Sequence, residues 1–366
     1  MNIAQIWGHI QARLFPHLEE CLAVELTAKQ RRVVAILEIV RIEEHVPLPP
    51  RRPRGGRPPH DRRCLARAFV IKAAYNLPQT NMLIDWLRSD ATLRAICGYQ
   101  DACAVPSESV FSRAFAEFAA DALGNAVHEA MVKSYVSAHL VGHISRDATA
   151  IEAREKPLKK PAKPAKPKRR RGRPRKGEVV DKSDQSASRL PKQLHQDPQE
   201  ALSELPVACD VGTKRNAKGH TTSWIGYKAH IDANDAGLPI TVVTTSASLH
   251  DSQVAIPMEK LTGQRVTSLY ALMDSAYDAK LIRQCCYALG HVPIIDHNAR
   301  GGPQREWDPA TARRYDERTS VERVNSRLKD QFGGRHVRVR GHDKVHLHIM
   351  FGIVALFADQ LLQLVT

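Results

Sequence analysis

Apolar residues recur at intervals of three and four over the first third of the chain, and short β-rich runs follow, so a helical part precedes a mixed one. In TAKQRRVVAILEIVRIEEH, Thr27 and Gln30 have the spacing of a capping box ahead of an apolar periodicity, and Pro47, Pro49 and Pro50 end the helix. The next stretch, RRPRGGRPPHDRR, is a non-helical connector, lying on phosphate or in water. From Asp61 to about Tyr99 three short helices are expected: DRRCLARAFVIKAAYNL broken by Pro78, then QTNMLIDWLRS, then DATLRAIC between an Asp90 cap and a Gly98 stop. Pro106–Ser107 opens one longer helix, SESVFSRAFAEFAADALGNAVHEAMVKSYVSAHL. Such a series fits a helix-turn-helix module and a plain helical bundle equally well.

At His143 the texture changes. HISRDATAIEA, WIGYKAHIDAND, LPITVVTTSAS, VTSLYALMDS and HVPIIDHN read as strands, with helices after Asp251 and after Asp278. Three neighbouring strands followed by alternating helix and strand make a mixed α/β layer. Between the first two strands, residues 154–222 form a basic interruption whose start is too rich in Pro, Lys and Arg to pack a core, and it is expected to be largely disordered without DNA.

Charge sharpens this picture. The net charge is +15, yet residues 156–176 hold twelve Lys/Arg and no acid, leaving 42 basic against 39 acidic side chains elsewhere. No apolar helical face accompanies the run, which favours nucleic acid over membrane as its partner. Within it, Arg171-Gly172-Arg173-Pro174 is similar to the core of an AT-hook, whose extended Arg-Gly-Arg fits a narrow minor groove; a flexible tether on phosphates accounts for it as well. The seven cysteines have no zinc-like spacing and read as reduced thiols. The N-terminus does not read as a signal peptide, and the uninterrupted apolar run Ile349 to Ala358 is too short to span a bilayer; a soluble cytoplasmic protein is expected.

The chemistry concentrates near the C-terminal end. Tyr315, Arg318, Glu322 and Lys329 fall within roughly a 60° arc along about 21 Å of one helix. Asp308–Pro309 supplies its start and Gly333–Gly334 its stop. A solvated amphipathic face explains charge there but not this choice of types. The spacing Y-x2-R-x3-E-x6-K resembles the signature of bacterial insertion-sequence transposases of the DDE type. Asp147 in SRDATAIEA resembles that family's first aspartate motif, and Asp274 in MDSAYDAK its second, D-x-x-Y-D. Asp278 in the same motif reads as a cap for AKLIRQCCYALG. Gly226–Tyr227–Lys228 and His250–Asp251–Ser252 resemble further recurring pieces. Lys228 is a candidate phosphate contact; His250–Asp251 either shapes the site or makes structural hydrogen bonds.

The resemblance implies a ribonuclease H-like catalytic core, a mixed five-stranded sheet with flanking helices, over residues 139–153 and 223–366. An all-α DNA-binding region over residues 1–138 precedes it, and the basic insertion at 154–222 interrupts it. It implies Asp147, Asp274 and Glu322 as ligands of two Mg²⁺ ions, with Mn²⁺ able to substitute. Arg318 and Lys329 would then meet phosphates, while Tyr315 stacks or hydrogen-bonds beside the scissile strand or is a buried structural ring. After the signature, GGRHVRVRGHDK would as a strand put Arg338 and Arg340 on one side, extending the phosphate track. The implied partners are inverted-repeat element ends and target DNA, held by a homodimer at the nucleoid. A regulatory DNA-binding derivative without turnover, and a structure-selective nuclease, are the competing functions.

Overall fold

The structure, a computed structural model, is described for residues 25–47, 59–157, 189–215, 219–298 and 306–365. Thr27 accepts from the Gln30 amide while the Gln30 side chain reaches back to the Thr27 N–H, so the capping box forms and starts α1 (Ala28–Val40). The helix stops earlier than the prolines require, because Arg41 turns left-handed at φ 44° and a 3-10 turn follows. The three short helices are present: α2 (Arg62–Ala74) capped by Asp61, α3 (Thr80–Ser89), and α4 (Ala91–Cys97) capped by Asp90 and stopped by Gly98 at φ 93°.

The single long helix expected after Ser107 is two: α5 (Glu108–Ala120) and α6 (Leu123–Tyr135), broken where Ala122 adopts φ 49°. Close packing follows the break. A Cβ at Gly124 would lie 2.5 Å from the Met350 Cβ, so α6, once turned at Ala122, packs tightly on the last helix.

The mixed part contains β1 (Leu140–Glu152), α7 (Arg189–His195), α8 (Pro198–Ser203), β2 (Asp210–Arg215), β3 (Thr221–Asn234) and β4 (Pro239–Ser246). It continues through α9 (Ser252–Arg265), β5 (Thr267–Met273), α10 (Lys280–Ala288) and β6 (Val292–Ile295), and closes with α11 (Pro309–Asp316), α12 (Thr319–Gln331) and α13 (His342–Val365). The sheet has six strands, not five. β4, β3, β1, β5 and β6 lie side by side, β3 antiparallel to β1 and β4, and β5 parallel to β1 and β6. β2 is the extra strand, antiparallel to the first half of β3. The region expected to be flexible is therefore ordered over its second part: residues 189–203 pack on α9 and α10, and β2 joins the sheet. Leu190 and Leu194 bury against the Ile256–Cys286 cluster, which supplies the apolar contact that a mobile segment lacks. Arg171 and Arg173 lie outside the described residues.

Gly226 fixes the crossing of β1 and β3. At φ 152°, a Cβ there would fall 2.1 Å from the Ile151 carbonyl, so only glycine permits this register.

α13 joins the helical and mixed parts of the chain. Expected as part of the catalytic core, it packs against α1, α2, α5 and α6 as well as β4 and α12. It is apolar on all sides from Ile349 to Ala358 and must be enclosed on all sides, so one continuous core runs from Val33 to Ala358. This helix is long and apolar enough to cross a membrane by length and composition, but its residues form the centre of that core. Buried Asp359 ties the layers together through ion pairs with Arg32 of α1 and Arg327 of α12.

Candidate active site

Alternation along β1 sorts its side chains by face. Ser145 donates to the Glu317 carbonyl at 3.2 Å, and Asp147 accepts from the Asn325 amide at 2.8 Å, so both look toward the α11–α12 pair. Arg146, between them, points to the opposite face. There its guanidinium holds Asp232 with two bonds of 2.6 and 2.7 Å, Glu259 at 3.0 Å and the Ala255 carbonyl at 2.9 Å. Thr262 adds a bond to Asp232, and His291 one to Glu259. Asp147 is thus aimed by a fully buried ion network on the residue before it.

Asp274 follows the last residue of β5. Ser145 and Leu272 are partners in the parallel ladder, so Asp147 and Asp274 stand two residues beyond the same rung on adjacent strands, which lie about 4.8 Å apart. One Asp274 oxygen accepts from the Ala276 N–H at 3.0 Å and caps a 3-10 turn. Burial, followed by smaller contributions that include Asp274, raises the Asp147 carboxyl to about 6, although Lys214 and Arg318 pull it down. Asp274 is raised too, by burial first and by Asp251 among its neighbours.

Asp278 does not cap α10, whose N-cap is Ala279. It is pinned by Arg283 at 2.9 Å, His297 at 3.3 Å and the Asn298 N–H at 3.0 Å, which holds the end of β6.

The signature segment is not one helix. The chain tightens to 3-10 bonding at Glu317 and Arg318, leaving Tyr315 on α11 and Arg318 at the entrance to α12. Its ends are as expected: Asp308 caps Ala310 and Thr311 with Pro309 in the first turn, and Gly333 turns at φ 85° behind α12. Tyr315 packs against Trp307 with ring centres 4.3 Å apart, and the Arg318 guanidinium lies 5.7 Å over its ring. Burial pushes the phenol up to about 12.

Glu322 is half-exposed and its carboxylate is ion-paired with Arg318. The three expected ligands therefore do not share one coordination shell as they stand, and among the described residues no group of three His, Cys, Asp or Glu does. Asp147 and Asp274 are brought together; Glu322 lies one helical turn before Asn325, which touches Asp147 directly. Electrostatics gives a reason. Burial already disfavours the charged forms of Asp147 and Asp274, so a third carboxylate beside them is unfavourable, and Arg318, which also feels Asp147 and Asp274, takes it up instead.

Lys329 is half-buried, with its ammonium depressed by burial and then by Arg335 and Lys214. It makes no ion pair with a described residue. Lys228, expected to contact phosphate, is instead held internally: its Nζ donates to Asp251 Oδ1 and to the Leu249 carbonyl, both at 2.8 Å. The stretch with Arg338 and Arg340 is extended but pairs with no strand among the described residues; Val337 is buried, both arginines are exposed, and Arg340 donates to the Arg154 carbonyl at 3.0 Å.

Three residues enter the site beyond those singled out as ligands or contacts. Asn325 shares the signature face at Glu322 plus three, a spacing that would have disclosed it. Its Oδ1 is buried without a partner among the described residues, while its amide holds Asp147. Asp251 stands near Asp274, and Lys214 reaches the pair from β2, inside a segment whose composition concealed a strand. The donor set offered by Asp147, Asp274, Glu322 and the unpartnered Asn325 Oδ1 is all oxygen, which suits a hard divalent cation.

Carboxylates side by side where β5 ends against the middle of β1, faced by a helix with arginine and lysine, form a site suited to a phosphate-bearing substrate and a divalent ion. A family model described as Transposase DDE domain matches residues 143–358, more than half of the chain, and the protein belongs to that family. A second, Transposase domain (DUF772), matches residues 24–117 in the helical part. The chain is accordingly a transposition enzyme that acts on DNA. No curated protein matches it.

Proposed function

We propose that the chain is an insertion-sequence transposase of the Y-x2-R-x3-E-x6-K group with a ribonuclease H-like core. In this reading it cleaves DNA at the inverted-repeat ends of its element and joins the freed 3′-hydroxyl to target DNA. The observation that carries the proposal is the placement of Asp147 and Asp274 on one face of adjacent parallel strands, beneath the helix that bears Glu322 and bonds Asp147 through Asn325. Asp147, Asp274 and Glu322 would hold two Mg²⁺ ions, with Mn²⁺ as a substitute. Such ions, when bound, polarise the phosphate and offset charge on the entering and leaving oxygens.

The chain's own residues do the rest. Asn325 fixes the Asp147 carboxylate. Arg318 exchanges Glu322 for phosphate oxygens, to which its planar fork can donate twice. Lys329 and Lys214 border the carboxylates with positive charge and hold the strand beside them. Tyr315, braced by Trp307, fixes the Arg318 stem. The helical region and residues 154–188 add further DNA contact, Arg171 and Arg173 included, and a homodimer brings two ends together.

The test is nicking of a duplex carrying the element end, with Mg²⁺ supplied. The unmodified protein is expected to cut, and Glu322→Ala to lose about a thousandfold in rate while still binding the duplex. Cutting by Glu322→Ala at the unmodified rate rules the assignment out. Asn325→Ala, which removes an orienting contact rather than a ligand, is expected to slow nicking by about 10- to 100-fold and to weaken the apparent Mg²⁺ affinity, measured by titrating the metal.

A further inference from the structure

A cleft of about 490 Å³ opens between the helical layer and the connector that follows α12. Its rim carries Lys72 from α2, Arg154 from the end of β1, Arg338 and Arg340 from the connector, and Lys344 from the start of α13, against a single acid, Glu108. Chain segments far apart in sequence thus deliver five cations to one opening. None of the five makes an ion pair with a described residue; Arg340 donates to the Arg154 carbonyl and so ties two sides of the rim together.

Two further observations say what the opening takes. Lys72 is half-buried with no counter-charge beside it among the described residues, and burial alone lowers its ammonium to about 8. His336 on the same rim is depressed by burial and by Lys72, Arg338 and Arg335, so the local field is positive. The aromatic floor offers nothing to a base. Phe69, Phe115 and Phe351 are buried and packed onto one another at centroid distances of 5.0 to 5.9 Å. A cationic rim over a closed apolar floor selects phosphate, not nucleobase.

We propose that this cleft is an anchor for the phosphate backbone of DNA, separate from the carboxylates and built jointly by the helical layer and the C-terminal connector. The inference rests on the reading of the chain as a DNA-cleaving enzyme and adds where the substrate is held. α12 sets the spacing. From Glu322 to Phe332 the helix advances about 15 Å, which places the anchor roughly four to five base pairs from the scissile phosphate.

The joint origin of the rim explains a contact between the two parts. Asn76, left-handed at φ 53°, donates to the Asp330 carbonyl at 2.9 Å and accepts from the Gly333 N–H at 3.0 Å. It locks the α2–α3 turn to the end of α12, so the anchor and the carboxylates keep a fixed separation.

The experiment is a salt titration of binding to a 30-base-pair duplex of arbitrary sequence, in EDTA, by fluorescence anisotropy. Arg338→Ala combined with Lys344→Ala is expected to lower the slope of log K against log salt by about 2, since each neutralised phosphate contributes about 0.9. The charge-retaining pair, Arg338→Lys with Lys344→Arg, is expected to keep the slope. Both pairs are at exposed positions, and an unchanged thermal unfolding midpoint verifies folding. An alanine pair that folds and retains the unmodified slope and affinity overturns the anchor, as does a lysine–arginine pair whose slope falls as far. Because no metal is present, failure of the chain to nick DNA bears on the proposed chemistry alone and leaves this measurement standing.

Discussion

Asp147→Asn is expected to abolish Mg²⁺-dependent nicking, with a drop of about a thousandfold or more, while leaving the protein folded. Asparagine keeps the volume and can still face Asn325, so packing is conserved; what disappears is the charge that a hard cation requires. The same residue sets a pH dependence. Its carboxyl is raised to about 6, and a raised acid pKa means that the proton is retained to higher pH. At limiting Mg²⁺ the rate should therefore fall about tenfold for each unit below pH 6, whereas an ordinary aspartate would hold it down to about pH 4. Since cation and proton compete for one carboxylate, higher Mg²⁺ should move the fall to lower pH. A rate independent of pH between about 5 and 7 at low Mg²⁺ would remove Asp147 from the ligand set.

Arg146→Met is the change with the largest expected effect on stability. The side chain is wholly buried, and its removal leaves Asp232 and Glu259, both buried, without the cation that balances them. Breaking one partner of a buried pair typically costs about 3–5 kcal/mol. That is a large part of an ordinary domain's stability. A urea titration followed by circular dichroism measures it. A second change at the acids, Asp232→Asn with Glu259→Gln, should return part of the stability, because the uncompensated charges are then gone. If the single variant unfolds at the same urea concentration as the unmodified protein, the network does not hold β1 in place.

How much of this was legible in the sequence depends on how local each determinant is. Caps and stops were readable because they act within one turn: Thr27 with Gln30, Asp90, Gly98, Asp308 with Pro309, and Gly333 all stand where their types require. The main strands were readable because their apolar runs end in turn residues. The breaks were not. Ala122 and the tightened turn at Arg318 sit between good helix formers, and no local residue type marks either. β2 was hidden for a related reason, since DVGTKR has no apolar alternation and is a strand only through pairing with β3.

The site divides along the same line. The Asp147 and Asp274 motifs and the 318–322–329 spacing are short patterns; the fold sets the two aspartates on neighbouring strands and leaves Glu322 paired with Arg318. That Lys228 would be consumed by Asp251, or that Lys214 would arrive from the far side of a cationic segment, depends on tertiary approach that no window of sequence contains. Arg338 and Arg340, which a strand would have put on one side, are exposed on a connector without strand pairing among the described residues, held by the burial of Val337.

The central position of α13 has a bearing on how the molecule comes into being. The helix that completes the core around α1, α2, α5 and α6 leaves the ribosome after all of them, so those segments wait, with their apolar faces unmatched, until translation of the remainder is done. A message cut short before His342 therefore yields a chain whose helical layer lacks the surface it packs on, and such a product is expected to be digested by protease faster than the full chain.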